Sequence, residues 1–266
     1  METIKLSNGV EMPQVGYGVY QVEPEECEGL VVDAINVGYR MIDTAQAYLN
    51  EEAVGSGWRK SGVSRDDLFL VSKVWPSNYG EGQTMKSNDE SLRKLQTDHI
   101  DLMLLHQPYC DRYGAYRDLE KAYKAGKLRA IGVSNFMPHH IELLKEHCEI
   151  LPMVNQLRLC PGVTQPEVVA YCKKNNILVE AYSPFGTGAI FKVPQMQQLA
   201  QKYGRSVGQI CLRWSMQMGW LPLPKSANPD RVKENLNVFD FELEPEDVEL
   251  IANLKGVCGE APAPDE

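Results

Sequence analysis

Eight short apolar runs, each followed by a stretch with helical periodicity or turn chemistry, constrain this chain more than any other feature. The runs fall at 14–18, 40–43, 68–74, 100–106, 130–133, 153–156, 178–183 and 221–224. Each has the length of a strand rather than a helix. Between them, Pro24, Glu25 and Glu26 open a helix with a proline and two acids, as the helix dipole favours. Leu30, Val31, Ala34 and Ile35 then recur at helical spacing, and Gly38 stops the run. The segments 138–148, 165–174, 193–203, 207–218 and 245–254 follow the same logic. Strand and helix alternating eight times predict a parallel sheet with right-handed crossovers, closed as a (β/α)8 TIM barrel. An open doubly wound sheet is the alternative, and no G-x-G-x-x-G follows the first strand to support it. Ahead of the barrel, the segments Thr3-Ile4-Lys5-Leu6 and Val10-Glu11-Met12 flank Asn8-Gly9, which predicts an N-terminal β-hairpin.

Four chemically active residues sit at or just beyond the ends of these runs. Asp43 and His106 close the second and fourth, Lys73 follows the stretch 68–72 near the end of the third, and Tyr48 follows the second. The C-terminal ends of the strands form the face on which barrel enzymes carry their chemistry. A free phenol titrates near ~10, too high for an efficient acid at neutral pH. An ammonium at ~4 Å in an effective dielectric of ~20 favours the phenolate by roughly 4 kcal/mol, about three pKa units. Lys73 supplies that charge in this reading, Asp43 holds Lys73 in place, and His106 hydrogen-bonds a substrate oxygen. The competing reading is a structural Asp–Lys pair and a histidine that merely completes the core.

The chain of 266 residues suits one barrel. A single domain is expected over 1–258. The small, acidic, proline-rich segment 259–266 is expected as a flexible, solvated tail. The net charge of −9 argues against nonspecific nucleic-acid or anionic-membrane binding, which need a basic face. No apolar run reaches the ~20 residues of a membrane span, and the N-terminus lacks a signal-peptide core. The cysteines, odd in number and never in C-x-x-C, suggest reduced thiols and a cytoplasmic location. The five histidines show no metal-binding spacing, so no metal is expected.

The spelling of the chain carries more. Residues 43–55 (DTAQAYLNEEAVG) resemble the first signature of the aldo-keto reductases, 126–136 (GKLRAIGVSNF) the second, and 223–226 (LPKS) with Arg231, Glu234 and Asn235 the third. The resemblance runs from the hairpin to the last helix. It implies a barrel that uses NADPH/NADP without a Rossmann domain, with Asp43, Tyr48, Lys73 and His106 as the catalytic tetrad. It implies that Ser134, Asn135 and Gln156 hold the nicotinamide carboxamide and that Tyr182 stacks on the ring; the bland alternative makes Tyr182 a wall of the mouth. Ser183, Phe185 and Thr187 fall where the family contacts the pyrophosphate. Lys225, Ser226 and Arg231 fall at the adenosine 2′-phosphate, with Asn228, Glu234 and Asn235 bordering ribose and adenine. Two charge-assisted bonds of ~1.5–3 kcal/mol each would favour NADPH over NADH by ~10²–10⁴.

Departures from the family spelling are also informative. Many relatives read N-Q-x-E-x-H-P after the sixth strand; here Arg158 and Cys160 replace the acid and the imidazole. Gln107 stands where many have tryptophan, and Tyr20 and Trp75 supply aromatic substrate walls. The segment 186–194 and the C-terminus are short, so an open mouth and fast cofactor release are expected. These features are similar to the compact bacterial-type branch, such as diketogluconate and methylglyoxal reductases. The resulting expectation is a reductase of small aldehydes and ketones, a monomer with a dimer left open. The alternative is a cofactor-binding regulatory barrel with little turnover.

Overall fold

The structure is a computed structural model, and it describes residues 2–262 and 264. Strands β1 (Thr3–Lys5) and β2 (Glu11–Pro13) form the antiparallel hairpin, pairing Lys5 with Glu11 and Thr3 with Pro13. The Leu6 N–H donates to Val10 O at 2.9 Å and the Gly9 N–H to Leu6 O at 2.8 Å. Gly9 takes φ of 86°, so the turn closes on a left-handed glycine, as three-residue hairpin loops do.

Eight parallel strands follow, each hydrogen-bonded to the next in sequence order: β3 (Tyr17–Gly18), β4 (Met41–Asp43), β5 (Phe69–Val74), β6 (Ile100–Leu105), β7 (Leu128–Ser134), β8 (Val154–Arg158), β9 (Leu178–Tyr182) and β10 (Leu221–Leu223). The barrel closes where the Gly16 N–H donates to Pro222 O (3.3 Å) and the Gly18 N–H to Pro224 O (3.0 Å). A Cβ on Gly16 would lie 2.4 Å from Met41 Cε and 2.7 Å from Leu223 Cδ2, so a side chain there would have to displace those two methyl groups inside the closure. The run expected as a strand at 14–18 is therefore regular only at Tyr17–Gly18: its first half is committed to closure. The run expected at 178–183 stops at Tyr182, because Ser183 adopts φ of 52°.

Helices cover the outside. α1 (Pro24–Val37), α2 (Glu51–Lys60), α3 (Gln83–Lys94), α4 (Arg112–Lys124), α5 (Pro138–Lys145) and α6 (Pro166–Lys174) fill the successive crossovers from β3 to β9. α7 (Pro194–Tyr203) and α8 (Val207–Gln217) both lie between β9 and β10, and α9 (Pro229–Leu236) and α10 (Pro245–Ala252) follow. α1 starts at Pro24, buries Cys27, Val31, Ala34 and Ile35, and ends at Gly38 with φ of 120°. Helices α2, α3, α4 and α9 are not among the expected ones. For α3 the reason is physical: besides Leu92 it buries Thr84, Asn88 and Ser91, so its inner face is polar in sequence. α4 does carry an apolar period, burying Ala115, Leu119 and Ala122, which the expected helices omit. No helix among the described residues is long and apolar enough to cross a membrane.

Residues 263, 265 and 266 of the expected tail lie outside the described residues. Where the tail is described, Arg158 donates to Glu260 O (2.7 Å) and Cys258 O (2.5 Å). The arginine that departs from the family spelling thus grips the chain end. Cys160 forms a short bridge with Val163 and is buried, and all seven cysteines are free thiols.

The end of the barrel opposite the reactive residues is held by Asp101, fully buried at the start of β6. It accepts from Arg65 Nη2 (2.6 Å), the Leu70 N–H (2.8 Å) and Arg129 Nη1 (2.6 Å). Removing one partner of a buried charge cluster costs roughly 3–5 kcal/mol, because the remaining groups are stranded. Asp101→Ala is expected to lower stability to denaturant by the low end of that range, since Arg129 is partly exposed. A loss below about 1 kcal/mol, typical of surface pairs, would contradict this role.

Candidate active site

Lys73 is the penultimate residue of strand β5 and is wholly buried. Its ammonium donates to Asp43 Oδ1 (2.7 Å) and Oδ2 (2.9 Å), to Thr44 O (2.9 Å), and reaches the Tyr48 hydroxyl at 3.3 Å. Burial is the largest single influence and would lower the Lys73 pKa, but the charge and hydrogen bond of Asp43, with Tyr48 and Glu180, together outweigh it and hold the group charged. The ammonium also lies 4.9 Å from the centroid of the Tyr48 ring. Asp43 ends β4, and Tyr48 ends a single 3-10 turn, Gln46–Tyr48, immediately beyond it.

The phenol behaves differently from the sequence expectation. Burial raises its pKa by more than Lys73 lowers it, so the net direction is upward. Tyr48 therefore carries its proton at neutral pH. The contribution of Lys73 is to soften the cost of losing it, not to bring the phenol below its ordinary value.

His106 follows β6, and its N–H donates to Val74 O at 3.1 Å. Burial, then the Lys73 charge, push its pKa down to about 3, so the imidazole is neutral. Its buried Nδ1 has no hydrogen-bond partner among the described residues. A buried N–H without an acceptor is costly, so the single ring proton belongs on Nε2. The His106 ring meets Tyr48 edge-on at 5.9 Å and Trp75 at 5.0 Å, and Tyr20 lies 5.1 Å from Tyr48. Tyr20 and Trp75 are partly exposed, and Gln107, next to His106 in the chain, is half-buried. An acid, a neutral donor and an aromatic rim thus face one opening. A groove of about 740 Å³ outside the barrel, between α2 and α3, shares only Trp75 with this set and holds none of its chemistry.

A second group of expected residues surrounds the same opening. Ser134 Oγ donates to Gln156 O (2.9 Å). Asn135, at φ of 61°, donates to His106 O and Ser134 Oγ (both 3.3 Å) and accepts from the Tyr182 hydroxyl (2.9 Å). The left-handed backbone is held by these bonds, a pattern of strain fixed at a functional site. Gln156 Nε2 donates to Asp43 Oδ2 and to Glu180 Oε2, both at 3.0 Å. Both amide hydrogens are spent, so its carbonyl oxygen remains as an acceptor. Ser183 and Thr187 are also left-handed, and Phe185 packs on Phe191 at 5.4 Å.

The third group lies at the start of α9. The Tyr17 hydroxyl fixes Ser226 O at 2.6 Å, and Asn228 caps the helix by accepting from the Arg231 N–H (3.0 Å). Lys225 and Arg231 are exposed and have no carboxylate partner among the described residues. Glu234 is half-buried and Asn235 buried behind them. Two unneutralised cations beside a helix N-terminus suit an anion such as a phosphate. An acceptor at the mouth, an aromatic flank and this cationic end fit a dinucleotide.

Three polar residues important to the arrangement were not singled out from sequence. Gln46 accepts from the Trp75 N–H (3.1 Å) and Asn78 Nδ2 (2.8 Å), so it ties the Tyr48 turn to the Trp75 wall. Asn50 donates to Val19 O (2.9 Å) and Val22 O (3.1 Å) and accepts from Thr44 Oγ1 (2.7 Å), locking the loop that carries Tyr20. Glu180 is an acid inside the apolar run of β9, on the same strand face as Tyr182. Strand alternation alone places it inward.

Comparison with known proteins finds relatives along nearly the whole chain. The model of the aldo/keto reductase family matches residues 12–255. A glyoxal reductase of Bacillus subtilis is 47% identical, covering 100% of this chain and 97% of its own. The methylglyoxal reductase DkgA of Yersinia pestis is 40% identical, over 98% and 95%. A crystal structure of a Bombyx mori aldo-keto reductase in complex with NADP superposes with a TM-score of 0.90 at 35% identity, over 94% of this chain and 92% of that one. With its continuous barrel and a family match across nearly its whole length, the chain belongs to the aldo/keto reductase family.

Proposed function

We propose that the protein is an NADPH-dependent reductase of small aldehydes and ketones in which Tyr48 is the general acid. The observation that carries the reading is the Lys73 ammonium wedged between the Asp43 carboxylate and the Tyr48 hydroxyl. When bound, NADPH supplies the hydride to the carbonyl carbon. His106, neutral with its proton on Nε2, donates to the carbonyl oxygen and orients it. Tyr48 gives its proton to that oxygen as negative charge develops there. Lys73 stabilises the phenolate that remains, and Asp43 keeps Lys73 charged and in place. Solvent at the open mouth then returns the proton to Tyr48.

Ser134, Asn135 and Gln156 hold the carboxamide of the cofactor in this proposal, and Tyr182 flanks its ring. Ser183, Phe185 and Thr187 face the pyrophosphate. Lys225, Ser226 and Arg231 take the 2′-phosphate, with Asn228, Glu234 and Asn235 toward ribose and adenine. Tyr20, Trp75 and Gln107 rim the substrate entrance. The relatives named as glyoxal and methylglyoxal reductases favour small dicarbonyls as substrates. An intact tetrad works against the regulatory alternative.

The test is NADPH oxidation with methylglyoxal, an aromatic aldehyde and a keto-sugar acid, with NADH in parallel. Tyr48→Phe is expected to lower turnover by at least ~10²-fold while NADPH still binds. Near-normal rates in that variant would remove Tyr48 from its role. Lys225→Ala and Arg231→Ala are expected to weaken NADPH far more than NADH; equal losses would place the 2′-phosphate elsewhere. His106 carbon-bound proton resonances are expected to stay flat from pH 8 down to pH 5, because its folded pKa lies near 3. Since that value is depressed, the stability it contributes is present above the ordinary 6.5 and lost as pH falls toward 3. A titration midpoint near 6.5 would contradict the neutral donor.

A further inference from the structure

Glu180 is fully buried inside the barrel, and one of its oxygens, Oε1, has no partner among the described residues. Its other oxygen accepts from Gln156 Nε2, the same nitrogen that donates to Asp43. Two carboxyl groups therefore share one amide beside a single ammonium. With both carboxyls ionised, the barrel interior would hold two anions against Lys73, one of them with a bare oxygen. Desolvation makes that arrangement costly, whereas a neutral acid leaves Asp43 and Lys73 balanced one to one.

We propose that Glu180 is a positioning residue for the proton donor: held as the neutral carboxylic acid, it fixes the Gln156 carboxamide against Asp43, and its ionisation places a second anion beside Lys73 that weakens Tyr48 as an acid. The inference rests on the reductase reading above. The second anion acts in two ways. It disfavours the phenolate that Tyr48 must become, and it competes with that phenolate for Lys73.

The groups around Glu180 agree with a neutral acid. Asp43 faces it from β4 and Lys73 from β5, with Gln156 between on β8. Burial, then the Asp43 charge, raise its pKa to about 8, against smaller lowering effects of Gln156 and Lys73. Strand β10 contributes only Leu221, Pro222 and Leu223. Arg158, two residues beyond Gln156, is engaged with the backbone of Cys258 and Glu260. Outside β9, α6 carries Glu167, Lys173 and Lys174 exposed, and burial pushes its Cys172 thiol up to about 11. Toward the mouth, burial pushes Tyr182 up to about 12 and also raises Tyr48, so both are neutral phenols.

The experiment compares wild type with Glu180→Gln, which keeps an acceptor for Gln156 but cannot ionise. Reductive kcat/KM is followed with pH, each profile read relative to its own plateau near pH 6. The wild type is expected to show an alkaline limb near about 8, and Glu180→Gln to move that limb up by about one pH unit or more. Two readouts need no turnover. Infrared spectra of the wild type should show a carboxylic-acid carbonyl band at neutral pH that vanishes in step with the limb and is missing in Glu180→Gln. Denaturant stability should carry a contribution fully present below the ordinary 4.5 and lost as pH rises to about 8, a slope absent from the variant. An unchanged limb in Glu180→Gln overturns the inference while leaving the reductase reading intact. So does the absence of a titrating carboxylic-acid band in the wild type, which decides the matter even if the variant does not fold. A wild type that turns over no carbonyl with NADPH refutes the reductase reading, and the inference falls with it.

Discussion

The Asp43–Lys73 ion pair is the interaction on which the rest of the site depends. Lys73 is wholly buried, and a buried ammonium without a partner would lose its charge or unfold its surroundings. Asp43 supplies the countercharge with both oxygens, and Thr44 O takes a further hydrogen. Once fixed, Lys73 depresses the basicity of His106 and lies against the Tyr48 hydroxyl. Burial keeps the phenol protonated and the imidazole neutral; the Lys73 charge reinforces the second and eases the loss of the phenol's proton. Gln156 extends the same network sideways to Glu180.

The barrel makes this pair possible. Parallel neighbours β4 and β5 bring Asp43 level with Val71, two residues before Lys73, so the lysine stem runs across the interior to reach the acid. Closure through Gly16 and Gly18 completes the ring of strands around these buried groups. At the opposite end, Asp101 and its two arginines hold the strand starts together, where they affect stability without touching the chemistry. The cationic site at α9 is separate again, anchored to the barrel by the Tyr17 hydroxyl on Ser226 O. Asp43, Lys73, His106, Ser134, Gln156 and Tyr182 come from different strands or strand ends, and the strand order brings them to one end of the barrel.

Much of this was legible in the sequence, for physical reasons. Asp43, Lys73 and His106 terminate apolar runs, so their position at the strand ends followed from burial alone. The hairpin was legible because Asn8-Gly9 demands a turn. Helices α3 and α9 were not delimited, since polar inner faces such as Thr84, Asn88 and Ser91 carry no apolar period. The upward shift of Tyr48 was not legible either. A pairwise charge estimate sees Lys73 but not the depth of burial that outweighs it. Gln46 and Asn50 were hidden because their partners, Trp75 N–H and Val19 O, are backbone groups distant in sequence. Glu180 carried a signal that pattern reading passed over: an acid on the inward face of a strand must be paired or neutral.

The central claim is that the Lys73 charge stabilises the phenolate left by proton transfer. The most direct measurement is the single-turnover rate of NADPH oxidation with methylglyoxal by Lys73→Met, with circular dichroism and NADPH fluorescence on the same sample. The account predicts a folded, cofactor-binding protein whose rate falls by at least ~10²-fold. A rate within a few-fold of wild type would show that the acid works without the buried charge, and the account would be wrong at its centre.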